Sequence, residues 1–188
     1  MMKRFLTILL TLALLTGLLA VPAGASSAAL DSAAKKAAAF AVAQLPHPGA
    51  GDEWAVIGVL RGGFPRPENW EDSFYRAIAD KLLTSGGVLS KTRATEYARV
   101  VLGLTAIGEN PKNVAGFNLL APLADFDAVT QPGVTSAAYA LLALDAGNYE
   151  IPNVPAGKTQ ATRAMYVDFM LGKQLSDGGW AIGADEAD

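Results

Sequence analysis

The spacing of apolar residues along the chain predicts a series of helices. Trp70, Phe74, Ile78 and Leu82 recur at steps of four, which places them on one face of a helix. No stretch shows sustained alternation of apolar and polar residues, so no sheet is expected. Gly and Pro separate the predicted helices, which span residues 32–44, 52–60, 69–83, 92–107, 111–124, 134–146 and 159–174.

Three of these segments form an internal repeat. The strings EWAVIGVLRGG (53–63), EYARVVLGLTAIG (96–108) and TSAAYALLALDAG (135–147) each start polar or acidic, carry an early aromatic residue, continue apolar and end in Gly. They recur about every 40 residues, a period typical of helical repeats. Because mostly apolar helices alternate with amphipathic ones, the pattern predicts an all-α fold of helical hairpins in two layers, as an open solenoid or a closed ring.

The first 25 residues have the layout of a secretory signal peptide. Lys3 and Arg4 precede an uncharged apolar run at 5–21, and small residues at 23–25 offer a cleavage site. An uncleaved membrane anchor is the alternative, although a run of 17 residues is at the short edge for spanning a bilayer. We therefore expect a repeat domain at 26–188 that is secreted or at the cell surface, with membrane contact only through the signal peptide.

Composition narrows the chemistry. The chain has no Cys, which excludes disulfides, thiol catalysis and Cys-ligated metal. The one His, His47, lies between two prolines and cannot build a zinc site alone. A net charge of −3 gives no basic field for nucleic acid, while 51% hydrophobic residues suffice for a packed core. The sequence therefore predicts no metal, no cofactor and no nucleic-acid partner.

The last predicted helix and the turn after it carry a family resemblance. The residues concerned are Arg163-Ala164, Phe169-Met170, Gln174 and Gly178-Gly179-Trp180. They resemble the QW repeat of squalene and hopene cyclases, with Met170 in place of the usual Leu, Ile or Val and one extra residue before Phe169. The resemblance is to the prenyltransferase/squalene-cyclase repeat family and extends over residues 33–188, where the chain also looks like exported bacterial proteins of that group.

This resemblance implies an α/α toroid, in which inner and outer helices form concentric rings. It also implies a structural role for the QW residues, which are Gln174, Asp177, Gly178, Gly179 and Trp180. A Gln amide can bond to backbone groups at a helix end while the Trp ring covers them, and Gly allows a tight turn. The helices of this chain are fewer than the family's ring needs, so we expect an incomplete toroid that associates with itself or with a downstream domain.

The acid motif of the cyclases is not matched. These enzymes use Asp-x-Asp-Asp, because a carboxylic acid must protonate an alkene. The nearest string is DFDA (125–128), which lacks the third Asp and lies at a predicted helix exit, where Asp is common as a cap. No phosphate-binding loop of the P-loop type occurs, and the DEAD string at 185–188 has no nucleotide-binding context.

Five residues are candidates for ligand binding. Trp54, Tyr97 and Tyr139 fall early or midway in the three repeat helices, and Glu53 and Glu96 each precede one of these aromatics. In a ring, the aromatics could contact a small apolar or planar ligand, and a corrinoid is a guess by resemblance. The alternatives are core packing for the aromatics and capping for the acids.

Two functions of different class remain open. The first is an exported, non-catalytic module that binds a ligand or a surface through a concave helical face. The second is a terpene cyclase-like or prenyltransferase-like enzyme whose acid motif lies in missing C-terminal sequence. Because no catalytic motif is present, the sequence favours the first.

Overall fold

The computed structural model describes residues 27–181, and these residues are helical without a sheet. In chain order the helices are α1 (Ser27–Gln44), α2 (Glu53–Arg61), α3 (Trp70–Ser85), α4 (Ala94–Ala106), α5 (Phe126–Thr130), α6 (Val134–Ala146) and α7 (Arg163–Gly172), with a 3-10 turn at Ala121–Leu123. The all-α prediction is confirmed for this part of the chain. The predicted signal peptide lies outside the described residues.

The chain divides into two compact units at the boundary between residues 37 and 38. The described part of the first unit is the first half of α1, where every residue is exposed. The second unit contains the remaining helices and the hydrophobic core, which α1 joins through buried Ala38 and half-buried Val42.

The three repeat helices lie side by side in the second unit. Helix α2 packs on α4, and α4 packs on α6. Helix α4 is buried over most of its length, as its nearly continuous apolar body from Val100 to Leu104 predicts. Gly103 lets α4 approach α3 closely, because a Cβ at this position would lie 2.8 Å from the ring of Phe74.

Helix α3 has the buried face that its spacing predicts. Trp70, Phe74, Ile78 and Leu82 are all fully buried. The Trp70 indole donates a hydrogen bond to the Leu45 carbonyl at 2.6 Å, so the chain segment after α1 is tied to the start of α3. The helix ends at Gly86, whose left-handed φ of +65° is accessible to Gly at little cost.

The helix predicted at 111–124 is wrong. Backbone bonds join Val114 and Phe117 in a tight turn, where Ala115 and Gly116 have φ of +51° and +88°. The side chain of Asn118 accepts a bond from the Leu120 amide at 3.0 Å, and such local bonds compete with a helix. The apolar residues in this segment are spaced as on a helix because several of them, Val114 included, are buried in the core. Irregular backbone can bury them as well as a helix can.

The other predicted helices lie where the pattern places them, with shifts at their ends, and α1 begins five residues earlier than predicted. Helix α5 was not predicted. Helix α6 has the predicted bounds, and α2, α3 and α4 differ from theirs by at most two residues. Helix α7 begins four residues later than predicted, because residues 159–161 bond to the backbone of 124–126. The Thr162 hydroxyl then caps α7 by accepting a bond from the Met165 amide at 3.2 Å.

Candidate functional site

A groove of about 570 Å³ lies between α6 and α7. We call it the α6–α7 groove. Its main lining side chains are Tyr139 and Leu142 from α6, Val167, Met170 and Leu171 from α7, and Trp180 from the turn after α7. None of the described residues that line it is charged. This volume and lining are typical of sites that bind apolar ligands.

Much of this apolar lining is open to solvent. The exposed fractions are 55% for Leu142, 57% for Leu171 and 45% for Trp180. Single exposed apolar residues are common on protein surfaces, but a contiguous group of them marks a binding site more often. The groove is therefore the main candidate site of the described residues.

The turn at residues 174–180, which we call the QW turn, holds Trp180 against the end of α7. The Trp180 indole N–H donates to the Met170 carbonyl at 2.6 Å, near the end of α7, and the same carbonyl also accepts a bond from the Lys173 amide at 3.1 Å. The Gln174 side-chain amide donates to the Gly178 carbonyl at 2.8 Å, and the Gly179 amide donates to Asp177 Oδ1 at 2.8 Å.

These bonds are of the kind that a structural QW role requires, and Gly178 has the positive φ of +89° that favours Gly. The same turn also presents one side of the Trp180 ring to the groove. The structural role that the resemblance implies for these residues stays a prediction, and Trp180 also lines the candidate site.

Two of the predicted ligand-binding aromatics lie together. The rings of Trp54 on α2 and Tyr139 on α6 have centroids 5.8 Å apart, with an interplanar angle of 43°. Tyr139 also lines the α6–α7 groove, and Trp54 is 48% exposed. The pair therefore extends the apolar, aromatic surface from the groove towards α2.

Tyr97 lies elsewhere. Its ring is buried, and its hydroxyl accepts a hydrogen bond from the Leu89 amide at 3.0 Å. It lines a separate cleft of about 190 Å³ together with Arg93 and Gln131. Tyr97 therefore does not join Trp54 and Tyr139 in one site.

The two predicted acids meet at one arginine. The Arg99 guanidinium donates to Glu96 at 2.6 Å, and its Nε lies 3.9 Å from Glu53 Oε2. The Glu53 side chain is only 2% exposed. Its Oε1 accepts a hydrogen bond from the Gly51 amide at 2.9 Å. The cluster joins the start of α2 to α4, and Glu53 contacts the backbone just before its helix as a capping residue does.

Sequence reasoning missed several residues of these sites. Arg99 is the one charged residue between Tyr97 and the end of α4, a local signal that could have marked it as a partner of the two acids. Leu142, Val167 and Leu171 had no such signal, because their grouping depends on how α6 packs against α7.

The acidic string at 125–128 is engaged by a neighbouring loop. Asp125 binds Lys158 Nζ at 2.6 Å, and the Thr159 hydroxyl donates to Asp127 at 2.6 Å. The hydrogen bond to Asp125 is the main cause that raises the pKa of Lys158. This string begins helix α5, so its prediction as a helix exit is wrong, although Asp125 does stand at a helix end.

Among residues 27–181, no group of three or more potential metal-ligating side chains is close enough to hold an ion. None of the helices in the same range has the length and apolarity that crossing a membrane requires. Comparisons with protein-family models, with curated proteins and with solved structures find no match to this chain.

Proposed function

We propose that this protein is an exported helical-repeat module of the prenyltransferase/squalene-cyclase repeat type, which binds an apolar ligand or partner surface without catalysing a reaction. The observation that carries the proposal is the α6–α7 groove, with its uncharged lining and its exposed Leu171 and Trp180.

An α/α toroid, or an arc of one, is the arrangement that we propose for the repeats. Its support is the row of α2, α4 and α6, in which successive repeat helices are neighbours. The two irregular or amphipathic segments between them, α3 and residues 107–133, would belong to the outer layer. The QW turn after α7 adds support from sequence resemblance.

The chemistry of the groove supports binding. Aromatic faces and aliphatic side chains provide hydrophobic contact area, and the hydroxyls of Thr135 and Tyr139 add two groups that can orient a ligand. Proton transfer at neutral pH usually requires a side chain such as His, Asp, Glu or Lys within hydrogen-bond reach of the ligand. The groove as described offers contact area and orientation, which suit a small apolar or planar ligand.

Titration with N-phenylnaphthylamine, an uncharged planar probe that fluoresces in apolar sites, tests the proposal. We expect saturable binding to the dilute protein. The substitution Leu171→Glu should weaken it by about tenfold or more, because a charge would enter an apolar surface. Leu83→Glu is the matched control, since Leu83 is 61% exposed on α3 and does not line the groove.

Equal binding by the Leu171→Glu and Leu83→Glu variants would contradict a site in the groove. Circular dichroism of both variants should match that of the unmodified protein, because neither side chain is buried. Turnover of a polyprenyl substrate that depends on an Asp-x-Asp-Asp motif in sequence after residue 188 would instead favour the alternative, a cyclase-like or transferase-like enzyme truncated before its acid motif.

A further inference from the structure

Helix α1 has an apolar face that no described residue covers. Leu30 and Phe40 are 63% and 67% exposed, and the exposed Ala33 and Ala37 lie between them at helical spacing. Ala38, the residue of α1 that is buried in the core, lies on a different side of the helix. The result is an uncovered surface with small residues at its centre and a large apolar side chain at each end.

The α6–α7 groove has the complementary form. Leu142, Val167, Leu171 and Trp180 are large, apolar and between 41% and 57% exposed. Small residues on an approaching helix let its backbone come closer to such a groove than large residues do. Two uncovered apolar surfaces on one chain are an association hazard unless each has a partner.

The fold already contains a contact of the proposed kind. Helix α4 approaches the preceding hairpin through a small residue, Gly103, which lies against the Phe74 ring of α3 and the Glu53 side chain of α2. In α1, Ala33 and Ala37 provide small residues at the centre of the uncovered face, as Gly103 does in α4.

From these surfaces we propose that α1 of a second copy of this chain binds in the α6–α7 groove. The inference rests on the proposed function, because it names the partner of the same groove. Charges at the edges suit the pairing: Lys36 lies four residues before Phe40 in α1, and the exposed Asp168 lies three residues before Leu171 in α7. The groove itself stays uncharged, as a buried apolar contact requires.

Such an interface joins two different surfaces, so the association is head-to-tail. A pair joined in this way leaves one groove and one α1 face uncovered, to which further copies can add. Each interface needs one intact α1 face and one intact groove, which makes the two surfaces separable by mutation.

Sedimentation of the full chain over a range of concentrations tests the proposal. The unmodified protein and the control Leu83→Glu should associate. Phe40→Glu and Leu171→Glu should each weaken association by about 10- to 100-fold, because each removes one apolar anchor and introduces a charge. Circular dichroism checks that all variants are folded, which the exposure of all three side chains leads us to expect.

A mixture of the two variants is the decisive sample. The Leu171→Glu chain retains an intact α1, and the Phe40→Glu chain retains an intact groove, so the mixture should form a 1:1 complex although neither variant associates alone. A monomeric unmodified protein, or a mixture that stays monomeric, would overturn the proposal. Association lost in only one of the two variants would also overturn it, since the pairing needs both surfaces.

The same variants separate this inference from the proposed function. In the monomeric Phe40→Glu protein the groove is open, so it should bind N-phenylnaphthylamine about tenfold or more tightly than Leu171→Glu does. An unmodified protein that stays monomeric at every concentration tested and binds the probe would overturn the self-association and leave the apolar site standing. Failure of Phe40→Glu to bind the probe would count against the ligand site alone, because the mixing result reports on self-association independently.

Discussion

At the scale of single residues, glycine sets the distance between helices in the core. Gly103 lies in the middle of α4, where its lack of a side chain makes room for the buried ring of Phe74. At Gly58 in the middle of α2, no side chain and no backbone atom of another segment lies within 4 Å of the position that a Cβ would occupy. Two glycines in comparable helical positions therefore have different reasons to be there.

This difference predicts that replacement by Ala affects stability differently at the two positions. Gly58→Ala should stabilise the protein by about 0.5–1 kcal/mol, because Ala loses less backbone entropy in a helix. Gly103→Ala has the same entropic gain but should be less stable than Gly58→Ala by about 1–3 kcal/mol, because the added methyl group overpacks the core. Urea unfolding of both variants measures the difference, and equal stabilities would show that Phe74 moves aside at no cost.

Trp180 illustrates a residue with two contacts of different kind. Its indole N–H donates to the Met170 carbonyl near the end of α7, while its side chain lines the candidate groove. A side chain that is anchored by a hydrogen bond offers a ligand a rigid aromatic face, so less entropy is lost on binding. The structural and binding interpretations of the QW turn are therefore compatible.

At the scale of elements, the start of one helix stabilises the end of another. Arg163, the first residue of α7, donates to the Leu144 carbonyl at 3.0 Å, to the Tyr149 carbonyl at 2.8 Å and to Asp145 at 2.6 Å. The C-terminal carbonyls of α6 lack partners within their own helix, so a guanidinium there supplies both bonds and charge. This contact fixes α7 beside α6 and so shapes the groove between them.

Replacement of this arginine should loosen the α6–α7 hairpin. Arg163→Met keeps most of the aliphatic stem and removes the donors, which should lower the free energy of unfolding by about 1–3 kcal/mol. Arg61→Met at the end of α2 is the control and should stay within about 0.5 kcal/mol, since Arg61 is exposed. Thermal unfolding of the two variants checks this, and a loss as large for Arg61→Met would mean that the effect is not specific to the hairpin.

At the scale of the whole molecule, one core in the second unit connects α1 to α7. Tyr166 lies at the C-terminal end of this core, and its side chain is fully buried. Its ring centroid lies 5.7 Å from that of Phe126, and its hydroxyl donates a hydrogen bond to the Leu123 carbonyl at 2.8 Å. Burial raises the pKa of Tyr166 above its ordinary value of 10.0, and the charge of Asp125 raises it further.

Global stability should therefore fall at alkaline pH. Between pH 10 and the raised pKa, Tyr166 ionises in the unfolded chain and stays protonated in the folded one, so its contribution is complete below about pH 10 and is lost above it. Near neutral pH, Tyr166→Phe should lower the free energy of unfolding by about 1–2 kcal/mol, because the Leu123 carbonyl loses its hydrogen-bond donor.

The difference in free energy of unfolding between Tyr166→Phe and the unmodified protein should then shrink by up to about 1.4 kcal/mol per pH unit above pH 10. Urea unfolding of both proteins at pH 8, 10 and 11 measures it. A gap that stays constant over this range would show that Tyr166 ionises equally in the folded and unfolded states.

The sequence alone determined the local elements. Apolar spacing placed Trp70, Phe74, Ile78 and Leu82 on the buried face of α3, and Gly and Pro marked the ends of most helices, because backbone preference and burial period are encoded within a few residues. The same spacing failed at 111–124, where positive φ angles and an Asn side chain favour turns while the apolar residues stay buried.

Only the tertiary structure decided which residues meet. It joined Glu53 and Glu96 through Arg99, paired Trp54 with Tyr139, separated Tyr97 from them and opened the groove between α6 and α7. Apart from the contact between Glu96 and Arg99 on one helix, no local pattern specifies these contacts. Glu53 and Arg99 lie 46 positions apart and Trp54 and Tyr139 lie 85 apart, and helix packing brings each pair together. The chain itself encodes its helices, and the packing of those helices creates the candidate site.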